Sequence, residues 1–429
     1  MKRILINKLN NYIENEVKIE GWIHRIRALK SITFVILRDR TGLVQCVIDN
    51  KLINSEDIKL ESVVSIKGIV KESKNKLNNF EIEVIKFEVI SKCKDELPIE
   101  INKEDLNINL VTMLNNRVLS LRHEKINAIF KVQNVIINGF REYLIGEGFT
   151  EIFTPKLVSE GAEGGTEVFE VKYFENKAYL AQSPQFYKQM MVAAGFEKVF
   201  EIGHVYRAEQ HDTNRHLNEY VSMDLEFGFI ENEEDIMKLE EELLKFIINK
   251  LEKETQKYLN LLNVELPNIN GSIPRIKFSK AIEILKEEYN KINLENDLDP
   301  EAEKLLCEYA KEKLGSDFIF VTHYPRVKRP MYTMPCGENE THSFDFLFRG
   351  IEITTGGQRI HDYDMLINNI KYKGLNPENY LSYTEVFKYG VPKHGGLAIG
   401  LERIVSKILG LENVREATLI TRDRHRLIP

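Results

Sequence analysis

The pattern of apolar and polar residues changes character along the chain. Between residues 17 and 91, five short segments are β-branched or alternate in polarity with a period of two, as half-buried strands do. The sequence Arg40-Thr41-Gly42 marks a tight turn between two of them. Five strands in so short a stretch predict a small closed barrel of the OB type, a common holder of single-stranded nucleic acid. An SH3-like barrel is the alternative.

A second pattern begins near Ile126, where apolar residues recur at helical spacing until Gly146 and Gly148. Helices and long strands then alternate, with an acidic amphipathic helix over residues 231–262 and a helical insertion over residues 263–315. This order predicts an α+β fold with a largely antiparallel sheet flanked by helices. We expect a barrel domain over residues 1–98, a linker over residues 99–125 and a second domain over residues 126–429.

Composition excludes several classes of protein. With 429 residues, 43% of them apolar and 29% charged, the chain is globular and long enough for more than one domain. No run of 18 apolar residues and no signal peptide occurs, so we expect a cytoplasmic protein with no membrane partner. Four cysteines lie far apart without a Cys-x-x-Cys pair, which indicates neither a zinc site nor a disulfide framework.

The charge is unevenly distributed. Residues 1–98 hold 18 Lys and Arg against 14 Asp and Glu, a balance of +4, whereas the remaining residues hold 41 against 52, a balance of −11. A basic front end on an acidic body suggests that a polyanion docks on the small domain, although chance scatter is the alternative. Neither a G-x-G-x-x-G nor a G-x-x-x-x-G-K-[ST] motif is present, so a nucleotide would not use a Rossmann or P-loop cradle.

Charges of both signs are concentrated in the stretch from Val205 to Phe227, which reads as a β-hairpin. Arg207 at its base is of the residue type that grips phosphate bidentately, and Glu209 can accept a base amino group. Tyr220 offers a flat face for a base. The alternative is a solvated hairpin whose cross-strand ion pairs are each worth under about 1 kcal/mol.

Two acids and two further arginines follow. A bend at Arg349-Gly350 can bring Asp345 and Glu352 into one site, where two carboxylates near phosphate-binding arginines are natural Mg²⁺ ligands. Unrelated surface acids are the alternative on spacing alone. Glycines at positions 356 and 357 allow a close backbone approach just before Arg359, and Arg403 opens a helix after a glycine-rich strand.

These segments together resemble the class II aminoacyl-tRNA synthetases, and within them the aspartyl-tRNA synthetases of the archaeal and eukaryotic type. The three signatures of the class occur in order, and about 165 residues separate the hairpin from the last signature, with no large extra domain between them, as in the compact type. The resemblance covers nearly the whole chain and rests on GWIHRIR, RDRTGLVQ, EGGTEVF, AQSPQFYKQ, YRAEQHDTNRHLNE, FDFLFRGIEITTGGQRIH and HGGLAIGLERIV.

The resemblance implies that ATP and Mg²⁺ are used, with Arg207 and Arg403 as the catalytic residues. Arg207 would hold the α-phosphate and the substrate carboxylate, Glu209 the adenine amino group, and Arg403 would lie over adenine and the γ-phosphate. The Mg²⁺ ligands would be Asp345 and Glu352. The remaining ATP contacts implied are His211 and Arg215 at the β- and γ-phosphates, Tyr220 stacked on adenine, and Gly400 and Glu352.

For L-aspartate, the resemblance implies that Lys188 and Arg359 read the side-chain carboxylate, and an uncharged amide would leave these cations unpaired. The implied aspartate-binding set is Glu167, Ser183, Gln185, Lys188, Arg207, Asp224, Thr355 and Arg359. Residues 160–167 resemble a mobile loop that closes over the amino acid. The family also implies a homodimer with the segment around Pro155 at its interface.

In the barrel, the resemblance implies tRNA anticodon contacts by His24, Arg27, Phe34 and Gln45. Phe34 would stack on a base, and Gln45 and Arg27 would contact base edges and phosphate. Members restricted to tRNA(Asp) tend to carry tryptophan at the position of His24 and lysine near Leu77. Both differ here, which suggests that tRNA(Asn) is charged as well as tRNA(Asp).

Two rival functions remain. An asparaginyl-tRNA synthetase shares the architecture but usually lacks the Gly-Gly-Gln-Arg-x-His string found at residues 356–361. A non-catalytic RNA-binding protein would not need the arginines and carboxylates of the second domain. Aspartate-dependent exchange between ATP and pyrophosphate separates these readings.

Overall fold

The computed structural model describes residues 1–54, 58–75, 77–162, 167–269, 271–292, 294 and 296–428. It divides into two compact units, Met1–Ile108 and Asn109–Pro429. Residues 99–108 of the expected linker belong to the first unit, and residues 109–125 belong to the second.

The first unit is a closed five-stranded barrel with strand order β1-β2-β3-β5-β4, which confirms the predicted OB-type fold. Side chains on alternate positions, such as Val35 and Leu37, are fully buried inside it, while those between them are only partly buried. Its strands are β1 (Glu16–Ala28), β2 (Ile32–Asp39), β3 (Gly42–Asp49), β4 (Val63–Glu72) and β5 (Phe80–Ser91).

The second unit is built on an eight-stranded sheet with order β12-β13-β16-β17-β18-β11-β10-β6. The pairs from β13 to β10 are antiparallel, and the two edge pairs, β12–β13 and β10–β6, are parallel. Its strands are β6 (Thr150–Glu151), β10 (Lys198–Tyr206), β11 (Glu219–Gly228), β12 (Arg275–Lys277), β13 (Phe318–Thr322), β16 (Ser343–Phe348), β17 (Ile351–Arg359) and β18 (His394–Gly400). Smaller sheets are formed by β7 (Leu157–Val158), β8 (Glu170–Tyr173) and β9 (Asn176–Leu180), and by β14 (Pro335–Cys336) and β15 (Glu340–Thr341).

Helices cover one face of this sheet. The helices are α1 (Leu110–Asn115), α2 (Arg117–Ser120), α3 (Glu124–Gly146), α4 (Gln185–Met191), α5 (Glu233–Leu262), α6 (Phe278–Tyr289), α7 (Pro300–Leu314), α8 (Tyr363–Tyr372), α9 (Leu381–Thr384) and α10 (Leu401–Leu409). Apolar residues of α3, α5 and α10 form the main core with Met223, Leu225, Leu397 and Ile399 of the sheet. Because neighbouring residues of a strand point to opposite faces, Ser222, Asp224 and Ala398 lie on the other face, where a cavity opens.

The region 263–315, predicted as a helical insertion, contains a strand as well as two helices. Strand β12 extends the main sheet at its edge, and α6 and α7 pack a separate apolar cluster against Ile319 and Leu347. The insertion is therefore part of the sheet architecture. Within the described residues, no helix combines the length and the apolar composition that crossing a membrane requires.

Candidate active site

A cavity of about 330 Å³ lies on the open face of the main sheet. Its walls come from the β10–β11 hairpin, from β17 and β18, and from the start of α4. Thirteen of the residues proposed from the sequence line it: Ser183, Gln185, Lys188, Arg207, Glu209, Arg215, Tyr220, Asp224, Glu352, Thr355, Gly400, Arg359 and Arg403.

One end of the cavity presents arginines that are partly open to solvent. The side chain of Arg207 is 36% exposed, and its Nη1 lies 4.0 Å from the carboxylate of Glu209. Arg403, in the first turn of α10, is 27% exposed; its Nη1 donates to the backbone oxygen of Glu352 at 3.1 Å and lies 3.8 Å from that side chain. Both guanidinium groups are therefore accessible to an arriving polyanion.

The loop of the hairpin is fixed at its base by Asn218. The side-chain amide of Asn218 donates to the backbone oxygens of Arg207 and Glu209 at 2.7 and 3.1 Å. In return, the backbone amide of Arg207 donates to the backbone oxygen of Asn218 at 2.9 Å. The guanidinium carbon of Arg207 lies 5.9 Å from the ring centroid of Tyr220. A guanidinium, a carboxylate and an aromatic face therefore share one wall, which suits a phosphate joined to a base.

The other end of the cavity is closed and fully paired. Nζ of Lys188, whose side chain is 2% exposed, donates to Asp224 at 2.9 Å and lies 3.5 Å from Glu226. Arg359, 6% exposed, donates to both oxygens of Glu226 at 2.9 and 3.3 Å and to the backbone oxygen of Gly396 at 2.9 Å. Each of the two cations therefore has a carboxylate partner before a substrate binds, and the expected discrimination against an amide stays a prediction.

Glu226 is one residue of this end that the sequence reasoning missed. It is fully buried; burial would raise its pKa, but the charges of Arg359 and Lys188 outweigh this and lower the pKa below its ordinary value. Gly396 faces it across the ladder, and a Cβ at that position would collide with its carboxylate. The alternation of β11, which puts Ser222, Asp224 and Glu226 on one face, is the signal that could have found it.

Asp345 and Glu352 lie close enough to interact, as the bend at Arg349 and Gly350 predicts. Burial, followed by the charge of Asp345, raises the pKa of Glu352 to about 7. Oδ2 of Asp345 accepts from Arg329 at 2.8 Å. Oδ1 of Asp345 is buried and forms no hydrogen bond of normal geometry, and the same holds for the hydroxyl of Tyr324, which interacts with Asp345. An incompletely satisfied carboxylate oxygen beside a second carboxylate fits a divalent cation.

Arg329 also contacts the cavity from a segment that the sequence reasoning did not single out. Its Nη1 donates to the hydroxyl of Thr355 at 3.0 Å, and its guanidinium carbon lies 3.8 Å from the ring centroid of Tyr324. Arg329 is therefore a further arginine, beside Arg207 and Arg403, and it lies close to Asp345. No local pattern around residue 329 marks it, because its partners lie in β16 and β17.

Arg215 is engaged by an acid from the insertion. Its Nη2 donates to both carboxylate oxygens of Glu303 at 2.9 and 2.7 Å, and Glu303 in turn accepts from the backbone amide of Glu352 at 3.0 Å. Neighbouring His216, which the sequence reasoning passed over, lies 3.4 Å from Glu209. Burial, together with Arg403 and Arg215, lowers the pKa of His216 to about 4, so its imidazole is neutral at pH 7.

Three predicted residues are not part of the cavity walls: Asp345, described above, His211 and Glu167. His211 is exposed in the hairpin loop, with its ring centroid 5.9 Å from that of His216. The side chain of Glu167 is exposed, and its backbone oxygen accepts from the amide of Ala208 at 2.7 Å. Of the loop expected over residues 160–167, positions 163–166 lie outside the described residues.

In the barrel, strand register places three predicted residues on the outer face. Arg27 pairs with Phe34, and Phe34 pairs with Val47, while Gln45 lies one row away, opposite Ile36. Arg27 is exposed, and Gln45 donates to Glu81 at 2.6 Å. His24 does not share this exposure.

His24 lies at a bulge of β1 and is 9% exposed. Its Nδ1 is 2.9 Å from Nη1 of Arg38, which forms two hydrogen bonds with Glu61. The side chain of His24 is therefore buried and is not open to an anticodon base in this structure.

Both parts of the chain match known protein families. The family described as tRNA synthetases class II (D, K and N) matches residues 109–424, and the OB-fold nucleic acid binding domain matches residues 17–90. The chain belongs to the class II tRNA synthetases of this D, K and N group and carries their OB-fold domain.

Individual relatives are similar along their whole length. An aspartate–tRNA(Asp/Asn) ligase of Deinococcus radiodurans is 48% identical, with 100% of this chain and 99% of that protein covered. An aspartate–tRNA(Asp) ligase of Pyrococcus horikoshii is 43% identical, with 96% of each covered. Among solved structures, asparaginyl-tRNA synthetase of Pyrococcus horikoshii complexed with asparaginyl-adenylate matches with a TM-score of 0.92, 31% identity and 100% of both chains covered. Aspartyl-tRNA synthetase of Entamoeba histolytica gives 0.88 and 32%, with 100% of this chain and 93% of that chain covered.

Proposed function

We propose that the protein joins L-aspartate to tRNA(Asp) in two steps, using ATP to form aspartyl-adenylate. The observation that carries this proposal is the cavity, which has partly exposed arginines at one end and buried, carboxylate-paired cations at the other. The relatives named as aspartate–tRNA ligases support the same substrate.

The charge balance of the closed end favours aspartate. Asp224 is the acid placed to receive an α-ammonium group, and once it does so Lys188 and Arg359 face Glu226 alone. Two positive charges against one negative charge leave +1, which the side-chain carboxylate of aspartate neutralises. A neutral amide would leave that charge buried and uncompensated, which is costly.

The first step is the in-line attack of the α-carboxylate on the α-phosphorus, with pyrophosphate leaving. Both reactants are anions, so positioning and charge neutralisation supply most of the rate. Arg207 would bridge the carboxylate and the α-phosphate, and Arg403 would hold the outer phosphates. Tyr220 and Glu209 would receive the adenine ring and its amino group. In the second step, a hydroxyl of the terminal tRNA ribose attacks the adenylate.

Mg²⁺ would be held by Asp345 and Glu352, where it would neutralise charge on the departing pyrophosphate. Arg215 and Arg329 flank these acids, through Glu303 and Asp345 respectively, and would retain pyrophosphate oxygens.

The test is exchange of labelled pyrophosphate into ATP, followed by charging of a tRNA(Asp) transcript. We expect exchange that depends on aspartate and is absent with asparagine. Exchange with asparagine and not with aspartate would show that the protein is an asparaginyl-tRNA synthetase. The fold similarity to the Pyrococcus horikoshii enzyme is the observation that favours this alternative. No exchange with either amino acid would favour a non-catalytic RNA-binding protein.

We also propose that tRNA(Asn) is charged. Relatives named as aspartate–tRNA(Asp/Asn) ligases at 48% identity support this. His24 is buried, and the expected absence of lysine near Leu77 is wrong, because Lys74 and Lys76 lie within three residues of it in the sequence. Charging of a tRNA(Asn) transcript slower by several orders of magnitude than tRNA(Asp) would contradict the proposal.

The outer face of β1 to β3 is the proposed anticodon surface. Replacing Phe34 by alanine should weaken tRNA binding by about 1–3 kcal/mol, the usual contribution of one aromatic stack. Pyrophosphate exchange, which needs no tRNA, should be unchanged. Replacing exposed Leu52 by alanine is the matched control.

We further propose a homodimer formed through the segment around Pro155, in the cytoplasm. Phe153 and Leu157, on either side of this proline, are 83% and 47% exposed. Light scattering should give the mass of two chains, and Phe153→Asp should shift it toward one. A wild-type mass of one chain would overturn this part of the proposal.

A further inference from the structure

Three side chains with metal-binding atoms meet outside the cavity. One candidate ligand atom each of His323, Cys336 and His342 lie within 4.8 Å of one another. His323 directly follows β13, Cys336 ends β14, and His342 directly precedes β16. The three positions are therefore 13 and 6 apart in the sequence numbering. This spacing is why cysteine counting alone indicated no zinc site.

Backbone hydrogen bonds hold the three positions together. The amide of His323 donates to the carbonyl of Ser343 at 2.8 Å, and that of His342 donates to Met334 at 2.9 Å. Cys336 pairs with Glu340 in the β14–β15 ladder. The donor atoms are therefore carried on a frame that exists independently of any ligand.

A buried carboxylate lies close to both histidines. Glu233, the first residue of α5, is 6% exposed; its Oε2 lies 2.6 Å from Nδ1 of His342 and its Oε1 lies 3.5 Å from Nε2 of His323. A histidine that binds a metal almost always donates its second nitrogen to such an acceptor. With Nδ1 of His342 directed at Glu233, its Nε2 is left as the metal-binding atom.

We propose that His323, Cys336 and His342 bind one Zn²⁺ ion, with Glu233 orienting His342. One thiolate and two imidazoles are donors that suit Zn²⁺ in a tetrahedral site, whose fourth position water can take. Bond lengths of about 2.0–2.3 Å place tetrahedral ligands about 3.3–3.8 Å apart, so a side-chain adjustment of about 1 Å closes the site. Formation of the zinc–sulfur bond releases the thiol proton to solvent.

The site would brace a segment that reaches the cavity. Between His323 and Ser343 the chain carries Arg329 and Thr333 to the cavity wall, and Ser343 lines it as well. The ion would fix both ends of this segment without touching the substrates. This consequence depends on the proposed function, whereas metal binding itself does not.

The test is titration of the full-length, tag-free chain with Co²⁺, followed by displacement with Zn²⁺. We expect one equivalent to bind with a thiolate-to-cobalt charge-transfer band and the intense d–d bands of a tetrahedral site. The charge-transfer band requires sulfur, so Co²⁺ bound by Asp345 and Glu352 in the cavity would not produce it. Binding without that band, or no binding, overturns the proposal.

Matched variants assign the ligands. Cys336→Ser should abolish the band, while Cys93→Ser, at the other half-buried cysteine, should keep it. Glu233→Gln should keep the band and weaken Co²⁺ binding by about 10–100-fold, as loss of a partner that orients a ligand does. Glu234→Gln, whose carboxylate pairs with Arg275 at 3.0 Å, should bind as the wild type does.

If Cys336→Ser does not fold, alkylation of the wild-type chain decides the question. Zn²⁺ should protect Cys336 from iodoacetamide and leave Cys93 reactive, as mapped by mass spectrometry of peptides. Equal alkylation of Cys336 with and without Zn²⁺ would contradict the assignment.

Discussion

The two ends of the cavity hold their positive charges in different ways. At the open end, Arg207 and Arg403 are 36% and 27% exposed, with carboxylates 4.0 and 3.8 Å from their guanidinium groups. At the closed end, Lys188 and Arg359 are 2% and 6% exposed, with carboxylates at 2.9 Å. Within one cavity, the more exposed cations lie farther from their carboxylate partners, and the buried cations lie closer to theirs.

This difference in exposure and pairing indicates how each end would recognise its ligand. A triphosphate carries several negative charges and brings its own counter-ions, so cations that remain hydrated can exchange water for phosphate at little cost. A small amino acid brings few charges, so its binding site must be balanced before it arrives. We expect substitutions at the closed end to affect folding first and substitutions at the open end to affect rate first.

The largest effect is expected at the closed end. Glu226→Gln leaves Arg359 and Lys188 buried with one carboxylate fewer, so the free energy of unfolding at pH 7 should fall by about 3–5 kcal/mol. Urea denaturation of the full-length chain measures this. Fully buried Glu240 is the matched control, because burial raises its pKa to about 8 and it is already neutral at pH 7.

Glu240→Gln should therefore change stability much less than Glu226→Gln at pH 7. The carboxyl of Glu240 holds its proton in the folded state between its ordinary pKa of 4.5 and about 8, and loses it there when unfolded. Its contribution to stability thus declines as pH rises through that range. Equal losses in the two variants would show that ion pairing is not what distinguishes Glu226.

At the open end, the expected effect is on rate. Arg207→Gln removes a cation from the reacting phosphate and should lower kcat for pyrophosphate exchange by about 10²–10³, or about 2.7–4 kcal/mol, with little change in stability. Arg141→Gln is the control, since Arg141 is similarly exposed at 38% and forms a surface ion pair with Glu151. A stability loss as large as that of Glu226→Gln would break the contrast between the two ends.

A smaller effect is expected at the adenine wall. Tyr220→Ala removes the flat face and should weaken ATP binding by about 1–3 kcal/mol, while the KM for aspartate changes little. Tyr220→Phe keeps the ring and should bind ATP as the wild type does. If phenylalanine weakens binding as much as alanine, the hydroxyl rather than the ring face contacts the nucleotide.

The smallest expected effect concerns His216. Between its ordinary pKa of 6.5 and about 4, the unfolded chain holds a proton on this imidazole and the folded chain does not, so acid favours unfolding. From pH 7 to pH 5, the wild type should lose about 1 kcal/mol more stability than His216→Asn, allowing for partial solvent screening. Parallel pH profiles in urea denaturation would rule out this role for His216.

Much of the site was predictable because it lies in local signatures. The hairpin that begins at Arg207, the bend at Gly350 and the helix start at Arg403 are read from turn residues and strand alternation. Those patterns, with the family resemblance, identified thirteen of the residues that line the cavity. Arginine near phosphate-binding motifs is informative because its chemistry is specific.

The partners of these residues were not predictable in the same way. Glu303 comes from an insertion whose purpose the sequence left open, and Arg329 comes from a connection without a recognisable pattern. The exposure of His24 depended on a bulge in β1 that turns it behind the strand surface. A side chain's burial and pairing depend on elements that are distant in sequence, and periodicity describes only the element itself.

The sequence alone therefore determined the barrel, the α+β unit and the motif residues, since hydrophobic period and turn chemistry are local properties. Tertiary structure decided which carboxylate neutralises which cation, and it brought His323, Cys336 and His342 together. Sheet register and helix packing set those distances, and electrostatic and metal-binding energies depend on distance and burial rather than on position in the chain.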